Sequence, residues 1–430
     1  MKTLELARKH EDYMIAQRRY FHEHPEVTYH EYNTLKQIAG ELDAMEIPYV
    51  EIENGGILAT LKGERDNGKA VLLRCDIDAL AITESKNNLK RERICRSKNE
   101  GIMHACGHDG HIAMLLGTAK ILLDKRLELE GTVYLCFERA EEGGNGHYFI
   151  LKYIHEHQIK IDTAYATHLY SRLDSGKLAI NDGAVMACNM VFHVTIEGKG
   201  GHGSRPDLAS SPIDAFVAIC NALNALRLTK IDPNAVLSYS IGEVTAGSSQ
   251  NTIPDRLHFK GTMRTLDRDG AGMVFHREFK RIIDQTCRHY GCRPIYTKYT
   301  LPALAVINDG ACVNFARCVL GEALGQDTLT TVEPWLASEP FGRYLYLWPG
   351  VFTLLGIRNE EDGIGAEHHN AYFDIDESVL AKGAASAATY ALEFLKSSLD
   401  PSSENPVDKF DSLMTLLNEI YTEVLYEADT

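Results

Sequence analysis

Residues 109–137 read DGHIAMLLGTAKILLDKRLELEGTVYLCF, and two periodicities within them decide the fold. Up to residue 123, Ile112, Leu115, Leu116, Ala119 and Leu122 recur at helical spacing, with Asp109 placed to cap the helix. After a charged connection, residues 132–137 (TVYLCF) form an unbroken apolar run, the pattern of a strand covered on both faces. A similar run lies upstream at 70–74 (AVLLR), and a shorter one follows at 163–167 (TAYAT). Strand, helix and strand at these lengths require parallel crossovers. The expectation is a mixed-sheet α/β domain. Working outward, residues 56–61 (GILATL) and 350–355 (GVFTLL) add strands, while the first forty residues and 378–395 add helices.

The pattern changes near Cys188. Residues 190–197 (MVFHVTIE) alternate as a half-exposed strand does, 210–226 and 273–289 read as helices, and 236–241 and 257–262 read as strands. This β-α-β-β-α content predicts a smaller α+β module inserted into the larger domain. The expected division is 1–186 and 300–396 for the larger domain and 187–299 for the insert. Residues 397–430 are expected to hold a Ser/Pro-rich linker and an amphipathic helix over 407–427. There Phe410, Leu413, Leu417, Ile420 and Val424 share one face, which favours docking over exposure to water.

Composition narrows the function classes. The 430 residues carry 44 Lys+Arg against 60 Asp+Glu, a formal charge of −16 that disfavours nucleic acid as a partner. No apolar run approaches the roughly 18 residues of a membrane span. The first residues mix both charge signs without an apolar core, unlike a secretory signal. Ten scattered cysteines in so long a chain do not form a disulfide framework. These features predict a reduced, cytoplasmic protein.

Chemistry concentrates at residues 104–111, HACGHDGH, where three histidines and a cysteine precede the first helix of the opening stretch. Cys106 and His108 are suited to a borderline transition metal such as Zn, Mn, Co or Ni. Adjacent Glu141 and Glu142 follow the 132–137 strand. One carboxylate could bind metal and the other move protons, although the pair also suits a solvated turn. His168 follows the 163–167 strand, and His368 and His369 follow the late one; each alone is as compatible with a structural role. In open α/β sheets, ligands gather at the carboxyl ends of strands. One sulfur, three imidazoles and one or two carboxylates exceed the four ligands of a tetrahedral ion. They suit two ions roughly 3.5–4 Å apart that share a water.

From about residue 20 to 395, the chain resembles the metal-dependent amidohydrolase branch of the aminoacylase/carboxypeptidase superfamily. That branch includes hippurate hydrolases, N-acyl-amino-acid deacetylases and hydrolases of indole-acetyl amino acids. The resemblance rests on RRYFHEHPEVTYHEYNT, LLRCDIDALAI, GIMHACGHDGHIAMLLGTAKIL, AEEGG, THL, GKGGHGSRPDLASSPIDA, NTIPD with GTMRT, and HHNAYFDID. It implies metal ligands Cys106, His108, Glu142, His168 and His369, with Glu141 as general base and Asp78 supporting the site from behind. It implies that the insert is a lid and dimerisation domain, in which His202 stabilises the developing oxyanion and Asn251 and Arg264 hold the substrate carboxylate. The implied activity is hydrolysis of N-acyl amino acids or related amide conjugates by a homodimer or higher oligomer that holds two divalent ions per subunit. A dipeptidase or carboxypeptidase on the same scaffold, and a non-catalytic metal-binding protein, are the alternatives. The chain departs from the pattern at Arg139, Pro340 and Ala371, and in the basic loop over 86–98, which reads as a solvated surface.

Overall fold

In the computed structural model, which describes residues 2–401 and 406–422, the apolar runs at 70–74 and 132–137 become adjacent strands of one large sheet. Four parallel strands form its centre: Glu130–Glu138, Arg65–Asp76, Thr163–Asp174 and Gly350–Arg358. Gly56–Lys62 and Tyr49–Ile52 extend one side antiparallel, and two short strands close the other. The sheet is mixed, as expected.

The helix His108–Asp124 is buried on nearly every face and packs against helices Glu11–Glu23 and Leu380–Lys396. Its pattern reads as amphipathic because small residues hide the contacts. A Cβ on Gly117 would lie 2.3 Å from Met14 Sδ, so glycine is what lets the two helices approach. Asp109 does not cap this helix. It lies in the first turn, and Arg18 and His22 donate to its buried carboxylate at 2.9 and 2.8 Å.

The described residues form two compact units, the first made of those within 2–183, Ile307–Glu333 and 343–401 with 406–407, the second of those within Ala184–Val306, Pro334–Gly342 and 408–422. In the second unit, strands ordered Leu237–Ala246, Arg256–Thr265, Cys188–Glu197 and Arg293–Tyr299 form an antiparallel sheet. Helices Pro212–Thr229 and Met273–His289 help to build its core of Phe192, Phe259, Phe275 and Phe279. The strand Arg293–Tyr299 is one that the sequence patterning does not predict; residues 296–302 (YTKYTLP) read instead as an irregular exit from the insert. Its Arg-Pro start is tolerated because the strand lies at the sheet edge. Residues 334–342 join this unit because Trp335 exchanges backbone hydrogen bonds with Val185 and Ala187. The tail helix spans Pro406–Thr422 and buries Phe410, Leu413 and Leu417; the Ile420 side chain and Val424 lie outside the described residues.

Candidate metal centre

Every ligand candidate lies in the first unit, near the carboxyl ends of the central strands. Gly107, in the left-handed region at φ 92°, turns the chain from Cys106 into the helix that opens with His108. Cys106 Sγ approaches His168 Nε2 at 3.6 Å. His108 Nε2 lies 3.9 Å from Glu142 Oε1 and 4.0 Å from Glu141 Oε2, and His369 Nε2 lies 3.2 Å from Glu142 Oε1. His168 sits inside its strand rather than after it, because residues 169–174 continue the pairing with 355–358.

Asp78 organises the carboxylates from behind. Its Oδ1 and Oδ2 accept the backbone N–H groups of Glu141 and Glu142 at 3.1 and 3.0 Å, and Thr28 donates to Oδ2 at 2.7 Å. His108 Nδ1–H donates to the Asp78 carbonyl at 2.8 Å, which leaves Nε2 facing Glu142. Arg139 points away from this cluster. Its Nε and Nη2 donate to Glu31 Oε2 at 3.0 and 2.8 Å, and the other Glu31 oxygen accepts the Ala140 N–H at 2.8 Å. Ala140 and His369 both adopt left-handed φ, near 58° and 60°, which costs non-glycine residues on the order of 1–3 kcal/mol each. Strain therefore sits next to Glu141 and on His369 itself.

His111 and Asp76, to which the sequence reading gave no role, adjoin the candidate ligands. His111 Nδ1–H donates to Asp76 at 2.6 Å, and its Nε2 accepts the Leu169 N–H at 2.9 Å, so neither nitrogen is available to a metal. The signal was the i, i+3 spacing of His108 and His111, which places both on one helix face. Behind Asp76, Arg74 bridges it to Glu138 at 2.8 and 3.1 Å, and Tyr344 also donates to Glu138.

The electrostatics favour a cation. Burial raises the Cys106 thiol well above its usual value, with Glu142 adding to the shift, so proton loss requires a positive partner. Burial works against charge on His108, yet Asp76 and Cys106 outweigh it and raise that histidine well above its usual value. The same surroundings that favour a proton on His108 favour a metal ion. Burial holds His168 well below its usual value, in the neutral form that ligates. His108 Nε2 and Glu142 Oε1 are both buried without a hydrogen-bond partner. Facing each other 3.9 Å apart, a buried imidazole nitrogen and a buried carboxylate oxygen are costly unless a proton or a metal ion satisfies them. Three clusters place their ligand atoms within 4.8 Å of one another: Cys106 with Glu142 and His369; Asp78 with His108 and Glu141; and Asp76 with His108, His111 and His168, in the last of which both His111 nitrogens are already taken by Asp76 and the Leu169 N–H. The residues fit a divalent metal pair.

Residues 72–393 match the model of peptidase family M20/M25/M40. The chain belongs to this family. It is 34% identical to thermostable carboxypeptidase 1 of Saccharolobus solfataricus, covering 90% of this chain and 96% of that protein. It is also 34% identical to IAA-amino acid hydrolase ILR1-like 2 of Arabidopsis thaliana, over 92% and 88% of the two chains. A dinuclear metal binding peptidase of the M20 family from Bacillus subtilis superposes with a TM-score of 0.75 at 30% identity, over 90% of this chain and 99% of that one. The protein is thus a metal-dependent hydrolase of the amidohydrolase type.

The three remaining site expectations fall in the second unit. Pairing of Gly201–His202 with Thr252–Ile253 brings His202 and Asn251 close, and the Gly203 N–H donates to the Asn251 carbonyl at 2.7 Å. Both side chains are exposed; Ser204 bonds His202 Nδ1 at 2.8 Å, and Ser249 donates to Asn251 Oδ1 at 2.7 Å. Arg264 is half-buried and donates to Ser338 Oγ at 2.8 Å. The basic loop over 86–98 is not simply solvated. Arg91 pairs with Asp362 and Lys98 with Glu23, while the Arg93 side chain is fully buried.

Proposed function

We propose that this hydrolase cleaves the amide bond between an acyl group and an amino acid, or a related small conjugate, with Cys106, His108, Glu142, His168 and His369 holding two divalent ions. The observation that carries the reading is the convergence of these five side chains beside a further carboxylate, Glu141. Its mix of sulfur, imidazole and carboxylate suits Mn, Zn, Co or Ni. When bound, such ions supply Lewis acidity, lowering the pKa of water and polarising a carbonyl.

Glu141 takes the proton released by the attacking water and delivers it to the departing amine. Asp78 fixes the Glu141 backbone, from which the carboxylate reaches to within 4.0 Å of His108 Nε2. By the resemblance, His202 stabilises the oxyanion while Asn251 and Arg264 hold the substrate carboxylate, for which a guanidinium fork is well shaped.

A homodimer or higher oligomer is supported by the second unit. Its outer strand Leu237–Ala246 leaves Val244 exposed, and the helix Pro212–Thr229 exposes Ile213, Val217 and Leu228. Placement in the cytoplasm is supported by ten free cysteines. Among the described residues no helix is long and apolar enough to cross a membrane.

The carboxypeptidase relative favours a second reading, peptide hydrolysis on the same scaffold. A panel of acetyl- and benzoyl-amino acids set against dipeptides and longer peptides, with and without chelator, separates the two. Chelator-sensitive cleavage of the acyl-amino acids is the expected result. Turnover of peptides alone would overturn the substrate assignment.

A further inference from the structure

Of the five proposed ligands, His369 has the least regular support. Cys106 and His108 flank the start of a buried helix, His168 lies in a central strand, and Glu142 is held through Asp78. His369 sits on the connection after Gly350–Arg358, with a left-handed backbone and a side chain 52% exposed. Its place depends on what grips that connection. One grip is its own N–H, which donates to the Ala105 carbonyl at 2.9 Å. The other is two residues on: the Ala371 carbonyl accepts from the Ser85 N–H at 3.1 Å and from Arg93 Nη2 at 2.9 Å.

Arg93 spans the two segments. Its Nε donates to the Ser85 carbonyl at 3.0 Å, and its guanidinium lies 3.4 Å from Glu84 and 3.7 Å from Asp374. The side chain is wholly buried, so its charge is retained only because carboxylates and carbonyls surround it. Glu84 in turn bonds His22, whose other nitrogen bonds Asp109, the neighbour of His108. The planar fork sets the distance and angle between the 84–85 and 371–374 segments, which a lysine ammonium cannot do.

We propose that Arg93 is a positioning residue for His369, and that it sets the affinity of the ion shared by Cys106, Glu142 and His369. This rests on the two-ion reading above. Residues that orient metal ligands from behind typically govern affinity by about 10–100-fold. The ion that does not depend on His369 keeps its affinity when Arg93 is changed.

The test is equilibrium dialysis of the apo-protein against Co2+ alone, with the visible absorption of bound cobalt recorded for wild type, R93K, H369A and the double variant. Wild type takes up two ions, and R93K binds one normally and the other about 10–100-fold more weakly. The double variant matches H369A, because Arg93 acts through that histidine. Wild-type-like titration of R93K overturns the proposal, as does an R93K effect that persists undiminished in the H369A background. If circular dichroism shows apo-R93K unfolded, D374N, which removes a counter-carboxylate, replaces it; normal binding of both ions by D374N then overturns the proposal. A wild type that binds no second ion refutes the two-ion reading and this inference together, whereas two ions with an indifferent R93K refutes this inference alone.

Discussion

Replacing Arg139 by leucine isolates the bond that holds the Glu141–Glu142 turn in place. The Glu31 carboxylate is fully buried, and Arg139 supplies two of its hydrogen bonds while the Ala140 N–H supplies another. Leucine preserves apolar packing against Tyr29 and Tyr32, over whose rings the guanidinium lies at 5.9 and 5.4 Å, but strands the carboxylate. Breaking a buried pair from one side costs about 3–5 kcal/mol. At a slope of ~3 kcal/mol/M, the urea midpoint of the metal-free protein should fall by about 1–1.7 M. Burial already raises the Glu31 carboxyl above its usual value despite Arg139, and removing the cation raises it further. A raised folded-state value means that the folded protein binds the proton more tightly than the unfolded chain. The variant's deficit should therefore shrink as pH falls through that value and grow as pH rises past it, being larger at about pH 8 than at about pH 5. Adding E31Q should recover much of the loss, since no charge is then left buried. A midpoint shift worth less than about 1 kcal/mol, or one that is flat with pH, would refute the reasoning and class the pair with exposed ones.

Glu141→Gln should retain both ions by elemental analysis while losing most turnover, because removing a general base typically costs about 10²–10⁴-fold; wild-type turnover would remove Glu141 from the proton-transfer role. Cys106→Ser should bind less metal at a fixed free concentration and lose the charge-transfer absorption of a cobalt–thiolate bond, which normal uptake with that band intact would contradict. Arg18→Met leaves the buried Asp109 carboxylate with His22 alone and should lower stability by about 3–5 kcal/mol in thermal or urea unfolding; an unchanged transition would show that Arg18 is dispensable there.

The central strands were legible because their residues are apolar without interruption, which is what burial on both faces selects. The clustering of the candidate ligands was legible for a different reason: ligand-type side chains recur at or beyond strand after strand, an order that points to a common site. What stayed hidden was pairing over long sequence separation. Arg93 reads as part of a solvated loop and Arg139 only as a departure from the family pattern, yet each is buried against partners as far as 278 and 108 residues away, distances over which sequence carries no local signal. The same holds for Asp109, a plausible cap by position, whose carboxylate is instead claimed by Arg18 and His22. The strand Arg293–Tyr299 escaped because its polar, proline-bearing sequence satisfies only the weaker demands of a sheet edge.

Anomalous diffraction from crystals loaded with Mn2+ tests the central claim most directly. The account predicts two peaks per chain roughly 3.5–4 Å apart, enclosed by Cys106, His108, Glu142, His168 and His369. A single peak, or peaks that leave any of these five side chains uncoordinated, would contradict it.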